Sequence, residues 1–343
     1  MRTGKNPAKT GLPAYKPKPL GIALIVYIPF TEGYFRHSLE ILQYQISSIR
    51  ATTKDYDLMI FDNGSCAEAV EVMQSFYEQK WVDWLVLSQH NVGKAGAWNW
   101  IFAALPNPLI CYADSDVLFR PGWAEASIEI LKTFPHAGMV AAQPNFFDVM
   151  EGRGQAHLKL QRDPSIEFID YWPKQKITAE YCTGIAASEE LAERFYKNPL
   201  PAIQQRDHGT QAVIGASHMQ FLIRQEVARQ VVPLPSTKGL LRKETMSLDF
   251  KVDELGYMHL STLEPYVFHM GNTITDDLLE EVQSISKGAN STVTEPSSNE
   301  AAQPISKRRQ WLTKMAKHPQ INRWLQRLYN AIFHVLHSAD LDL

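Results

Sequence analysis

The chain has 343 residues, 45% of them hydrophobic and 21% charged, which suffices for one large domain with a sizeable buried core. A net charge of -3 gives no whole-molecule field to attract nucleic acid, so no nucleic-acid partner is expected. Three cysteines, odd in number and without a C-x-x-C pair, argue against a disulfide framework and a zinc site and suit a reducing cytosol.

Residues 1–20 read as a flexible basic arm, because Pro and Gly interrupt every periodicity and little apolar surface offsets ordering entropy. The arm lacks the apolar segment of a signal peptide, and no apolar run in the chain approaches the ~20 residues of a membrane span. From residue 21 the pattern changes. Short apolar runs at 22–28, 57–61, 84–88, 109–113 and 138–142 predict buried strands. Amphipathic stretches at 36–50, 66–79, 95–104 and 122–134 predict crossover helices between them. This alternation predicts an α/β fold with a mainly parallel sheet flanked by helices. Ligands then sit beyond the carboxyl ends of the strands. Residues 150–272 alternate less regularly and are expected to complete the domain, whose bounds are set at 21–272. Residues 273–304 read as a mostly disordered linker, being rich in Ser, Asn, Glu and Pro from 284 onward. Residues 305–343 follow as a basic amphipathic helical tail. Trp311, Trp324 and Leu328 lie there among Lys314, Arg323 and Arg327, a pattern that suits an anionic membrane surface contacted through 305–336. The same pattern also suits a helix docked on the domain or on a dimer partner.

Three polar clusters follow successive strands. Asp114-Ser115-Asp116 leaves the run LICYA with two carboxylates close together, a costly arrangement without a cation, and Mg²⁺ or Mn²⁺ takes oxygen ligands from such a triplet and from a diphosphate. A solvated capping loop is the alternative. Asp62-Asn63-Gly64-Ser65 closes the run DLMIF; a carboxylate there can accept from a base or ribose, while Asn-Gly before a helix is also ordinary punctuation. The stretch from His90 to Asn99 offers Lys94, small residues and backbone donors at a helix start, all suited to a diphosphate.

Together these residues resemble family 2 glycosyltransferases of the GT-A fold, a Rossmann-like architecture. The family pattern is met by Pro29 with Thr31 and Glu32, by Asp62 to Ser65, by Asn91, Gly93, Ala97 and Asn99, and by Asp114 to Asp116. The resemblance implies that Asp62 and Asn63, with the loop near Thr31, contact the nucleoside of a sugar donor. It places Lys94 near ribose or diphosphate, Asp114 and Ser115 nearer ribose, and a Mn²⁺ or Mg²⁺ ion on Asp116. Downstream come Gly215-Ala216-Ser217-His218, Glu244-Thr245, Gly256-Tyr257 and His269. Thr245 stands where the family's catalytic Asp is expected, and a Thr cannot serve as the base. Asp249, one helical turn on, is the first candidate for general base and Glu244 the second. His269 is a candidate metal ligand, and Trp172 a candidate for stacking on an acceptor sugar.

The resemblance therefore implies a metal-dependent, inverting hexosyltransferase that uses a nucleoside-diphosphate sugar, UDP-linked by preference. The acceptor is expected to be a glycan or lipid-linked hydroxyl in surface polysaccharide synthesis. The expected location is cytoplasmic, peripheral at the inner face of the membrane. Thr245 also keeps open a non-catalytic scaffold that binds sugar nucleotides. A nucleotidyltransferase fits less well, because no G-x-G-T-R-like signature follows the first strand.

Overall fold

A computed structural model describes residues 15–147, 163–235 and 241–288 of the chain. The expectations for residues 1–14 and for the tail at 305–343 lie outside the described residues.

β1 (Leu20–Val26) is buried along its whole length. It pairs in parallel with β2 (Tyr56–Asn63) on one side and β4 (Leu109–Asp114) on the other. The side chains of β1 alternate between two cores, as the strand period requires. Ile22, Leu24 and Val26 face α1 (Ser38–Thr52), α2 (Ala67–Glu78) and α4 (Trp123–Thr133), where Leu42, Ile46, Met73 and Trp123 are buried. Ala23 and Ile25 face α3 (Gly93–Ala104), where Trp98 and Phe102 are fully buried. Layers on both faces explain why the strand carries an unbroken apolar run.

β3 (Trp84–Ser88) extends the parallel part beyond β2. The other strands are β5 (Val117–Phe119), β6 (Ala137–Ala141), β7 (Ile166–Tyr171), β8 (Leu200–Gln205), β9 (Gln211–Ile214), β10 (Gln220–Arg224), β11 (Met258–Ser261) and β12 (Val267–His269). The large sheet runs β3-β2-β1-β4-β10-β6-β11-β9-β8-β7, and β12 pairs with β5 in a separate ribbon. β10 lies antiparallel between β4 and β6, and β9, β8 and β7 form an antiparallel meander. The sheet is thus parallel where strand and helix alternate regularly, and it reverses where the alternation breaks down. Beside these strands lie α5 (Gln175–Gly184), α6 (Glu189–Lys197), α7 (Gln225–Val231) and α8 (Leu241–Glu254).

Two expected boundaries move. Residues 15–20, assigned to a flexible arm, are held by Asp57, whose buried carboxylate accepts from the Tyr15 hydroxyl at 2.6 Å and from the Lys18 backbone N–H at 2.8 Å. Residues 276–288, assigned to the linker, form α9 (Asp276–Gly288). Leu278, Val282 and Ile285 repeat at helical spacing and pack against Ile41 of α1 and Leu118 of β5. The apolar stripe is short and lies beside a Ser- and Asn-rich stretch, which masks it in the sequence. Arg120 fastens this helix by pairing with Glu281, and its Nη1 and Nη2 donate to Glu180 of α5 at 2.7 and 3.1 Å.

Candidate active site

From β1 the chain steps outward to β2 and β3, then crosses back to place β4 on the other side of β1. Loops leaving β1 and β4 must diverge there and leave a crevice. A cleft of about 560 Å³ occupies that position, lined by Asn63, Lys94, Asp114, Ser115, Asp116 and His269 among others.

Tyr112 and Asp114 are two apart on β4 and so share a face. The Tyr112 hydroxyl donates to the Asp114 carboxylate, and burial, followed by the Asp114 charge, pushes that hydroxyl's pKa well up. Lys94 completes the cluster from α3. Its Nζ lies 2.7 Å from one Asp114 oxygen and 2.9 Å from the other, and it donates to the His218 carbonyl at 3.0 Å. The same ammonium sits over the rings of Trp98 and Tyr112 at 5.6 and 5.2 Å. Asp114 is therefore a fixed anion held by a cation and a hydroxyl.

The first turn of α3 is already satisfied. Val92 N–H donates to Asn63 Oδ1 at 2.8 Å, and Gly93 N–H donates to Asn91 Oδ1 at 2.9 Å. Lys94 and Ala95 N–H donate to Glu244 Oε2 at 3.1 and 3.3 Å. A helix N-terminus attracts the nearest anion, and the nearest one here belongs to the protein. The backbone donors expected to suit a diphosphate at this turn thus donate to Asn63, Asn91 and Glu244. Gly93 has φ +76°, and a Cβ there would meet Glu244 Oε1 at 2.8 Å, so the close approach of the two segments requires glycine.

His269 reaches the cleft because β12 pairs with β5 in a register that sets it opposite Val117, beside Asp116. Its Nε2 lies 3.1 Å from Asp116 Oδ2, and its Nδ1 lies 2.7 Å from the Gly184 carbonyl. Burial lowers its pKa, but the hydrogen bond and charge of Asp116 outweigh that and raise it to about 9.

Residues 31–230, more than half of the chain, match the family model described as Glycosyl transferase family 2. The chain belongs to glycosyl transferase family 2. An uncharacterized glycosyltransferase of Nostoc sp. strain PCC 7120 is 27% identical over 108 residues, which is 31% of this chain and 32% of the relative, so the chain matches about a third of that protein's length. Two solved structures are similar in outline. A mannosyltransferase of Pyrobaculum calidifontis, in complex with GDP-Man and Mn²⁺, has 12% identity and a TM-score of 0.44 over 72% of this chain and 55% of that one. Residues 1–349 of TarS from S. aureus have 10% identity and a TM-score of 0.42 over 80% and 66%.

The residues singled out in this family 2 chain fall into two groups. Asn63, Asn91, Gly93, Lys94, Asp114, Ser115, Asp116, Glu244 and His269 line the cleft. Pro29, Thr31, Glu32, Asp62, Asn99, Trp172 and Asp249 are not among its lining residues. Asp62 is buried and accepts from the Ser65 N–H at 3.0 Å, shaping the turn that closes β2. Asn99 exchanges two hydrogen bonds with the Leu234 backbone, at 2.9 and 2.7 Å, and so pins the segment after α7. Trp172 is exposed just beyond β7, the far edge strand of the sheet. Asp249 is buried on α8, and its carboxylate meets His218 Nε2 at 2.7 Å.

Tyr27, Tyr34, Phe35 and Tyr112 line the cleft without having been singled out. The aromatic density of residues 27–35 was the available signal. Phe35 meets Tyr27, Phe30 and Tyr34 edge-on, with centroids 5.0 to 6.2 Å apart, which makes an aromatic wall beyond β1.

Asp116 and His269 offer one carboxylate and one imidazole at contact distance, a pair that could serve Mn²⁺ if the ion displaces the proton that Asp116 holds on the ring, whereas Mg²⁺ would be left with the carboxylate alone. No cluster of three or more protein ligands occurs among the described residues. The remaining positions of such an ion would fall to diphosphate oxygens and water, as in open sites that share a cation with substrate.

Proposed function

We propose that the chain is a metal-dependent inverting glycosyltransferase that moves a sugar from a nucleoside-diphosphate sugar, UDP-linked by preference, to a hydroxyl of a glycan or lipid-linked acceptor. One observation carries the reading. Two differently held carboxylates, Asp114 on Lys94 and Tyr112 and Asp116 on His269, stand two residues apart at the mouth of a crevice flanked by an aromatic wall. A crevice lined by aromatic rings together with fixed cationic and cation-binding groups suits a base joined to a diphosphate.

In this reading Tyr27, Tyr34, Phe35 and Asn63 hold the nucleoside, and Asp114 and Ser115 face the ribose. Lys94 stays on Asp114 and supplies positive charge beside the bond that breaks. Asp116 and His269 would hold the divalent ion, which would offset charge on the departing diphosphate. The acceptor hydroxyl attacks the anomeric carbon from the opposite side, which inverts the centre, and its proton passes to a base on α8, Asp249 first and Glu244 second. Surface polysaccharide or glycoconjugate synthesis at a membrane face fits a lipid-borne acceptor. No helix among the described residues is long and apolar enough to cross a membrane.

The test is calorimetric titration with uridine, guanosine and thymidine diphosphates, each with and without Mn²⁺, on the full chain and its Asp116→Ala variant. Metal-dependent binding of one nucleotide, lost in the variant, is the expected result. Binding by none of the three would refute the nucleotide-sugar reading of this cleft.

A further inference from the structure

Resting on that transferase reading, but moving the base off α8, we propose that the group meeting the acceptor proton is the imidazole of His218, with Asp249 of α8 as a positioning residue behind it. Asp249 is about 2% exposed, too little for a hydroxyl on a glycan to reach its carboxylate. His218 meets that carboxylate and is the more accessible of the two. It lies in the segment between β9 and β10, and its Nε2 is 2.7 Å from Asp249 Oδ1 while its side chain retains 13% exposure.

The chemistry follows from the tautomer. A carboxylate only accepts, so the hydrogen shared with Asp249 sits on Nε2, and the lone pair is left on Nδ1. Nδ1 has no hydrogen-bond partner among the described residues. His218 is not itself among the residues that line the cleft, but its carbonyl accepts from the Lys94 ammonium, which lines the cleft and holds Asp114. Among the described residues, the charged and titratable groups nearest the imidazole come from three elements and the strand behind them. Asp249 approaches from α8, the Lys94 ammonium from α3 and Asp114 from β4; His259 of β11 lies 3.7 Å behind Asp249, with Asp253 of α8 beyond it. A base oriented by a buried carboxylate is the arrangement that activates hydroxyl nucleophiles in unrelated folds.

The step balances with no further reagent. The acceptor oxygen bonds to the anomeric carbon as its proton moves to His218 Nδ1. The bond from that carbon to the diphosphate oxygen breaks, and its electron pair leaves with the diphosphate. Asp249 stays ionised and stabilises the imidazolium, which returns its proton to solvent. This arrangement also accounts for Thr245: with an imidazole supplied from the β9–β10 segment, α8 needs only a buried carboxylate four residues on.

The test uses water as the acceptor. The full chain is incubated with Mn²⁺ and UDP-glucose, UDP-N-acetylglucosamine or GDP-mannose, and release of nucleoside diphosphate is measured against pH, beside calorimetric nucleotide binding. His218→Gln keeps a donor for Asp249 and cannot take the proton; we expect its rate to fall by about 10²-fold or more with nucleotide binding intact. In His218→Ala, added imidazole should restore turnover, which a purely structural histidine would not permit. Asp249→Asn, which removes the acceptor that fixes the tautomer, should lower kcat without weakening nucleotide binding. A His218→Gln variant with wild-type rate overturns the proposal; if Asp249→Asn alone is impaired, Asp249 is the direct base and the transferase reading stands. A wild-type chain that binds none of the nucleotides removes both.

Discussion

Glu244 offers the sharpest check on the geometry of the cleft, because one buried carboxylate closes the first turn of a helix 150 residues away in sequence. Replacing it with Ala removes two charge-assisted hydrogen bonds, to the backbone N–H groups of Lys94 and Ala95. Loss of such a cap costs about 0.5–2 kcal/mol, and loss of the anion at the helix start about 0.3–1 kcal/mol more. An opposing contribution exists. Glu244 Oε1 is buried with no hydrogen-bond partner, so its removal relieves part of the desolvation penalty. The net expectation for Glu244→Ala is a loss of about 1–2 kcal/mol, or roughly 2–8 °C in Tm for a domain of this size. Glu244→Gln keeps an acceptor oxygen for the same N–H groups while removing the charge, so its loss should stay under about 1 kcal/mol. Thermal unfolding followed by circular dichroism measures both variants. Amide hydrogen exchange at Lys94 and Ala95 should accelerate in the Ala variant and much less in Gln. An Ala variant as stable as the parent, with unchanged exchange at those two amides, would refute the assignment of Glu244 as the cap of α3.

Three further outcomes follow from side chains whose roles the fold decides. Asn99→Ala should lose about 1–3 kcal/mol in denaturant unfolding, from two hydrogen bonds to the Leu234 backbone, while nucleotide affinity stays at the parent value; a selective loss of affinity would return Asn99 to the binding site. Arg120→Ala strands Glu180 and Glu281, and because these side chains remain a fifth to a third exposed the cost should be about 2–3 kcal/mol rather than the full penalty of a sealed pair. Limited proteolysis should then cut within α9 first, and an unchanged digestion pattern would show that its apolar stripe holds the helix alone. Gly138→Ala places a Cβ 2.6 Å from Tyr257 Cβ in the packed core, so unfolding should show a loss of about 1–3 kcal/mol; a neutral result would mean that the strand can shift.

The local code was legible in the sequence wherever a pattern repeats within one element. The run IALIVYI predicts a strand at 22–28, and β1 is Leu20–Val26; the stretch at 122–134 predicts a helix, and α4 is Trp123–Thr133. The positions of Asp62, Asn91 and Asp114 after successive parallel strands placed all three at one sheet edge, because parallel strands end on the same side. The Ser- and Asn-rich neighbourhood of α9 hid a helix whose apolar stripe is only three residues long, and its partners Ile41 and Leu118 lie far away in the chain.

What each polar residue does was decided only by tertiary contacts. Lys94 and Asn99 share one helix and one sequence pattern, yet Lys94 holds Asp114 and Asn99 pins Leu234, because successive side chains of a helix face different neighbours. Glu244 and Asp249 lie on one helix, but the first closes α3 and the second is buried against His218. The sequence determined the elements, their order and the edge of the sheet where polar groups gather, since propensity and apolar period act over a few residues. Which donor meets which carboxylate depends on groups brought within 3.1 Å by chain segments up to 150 residues apart, and only the folded sheet with its packed helices sets those distances.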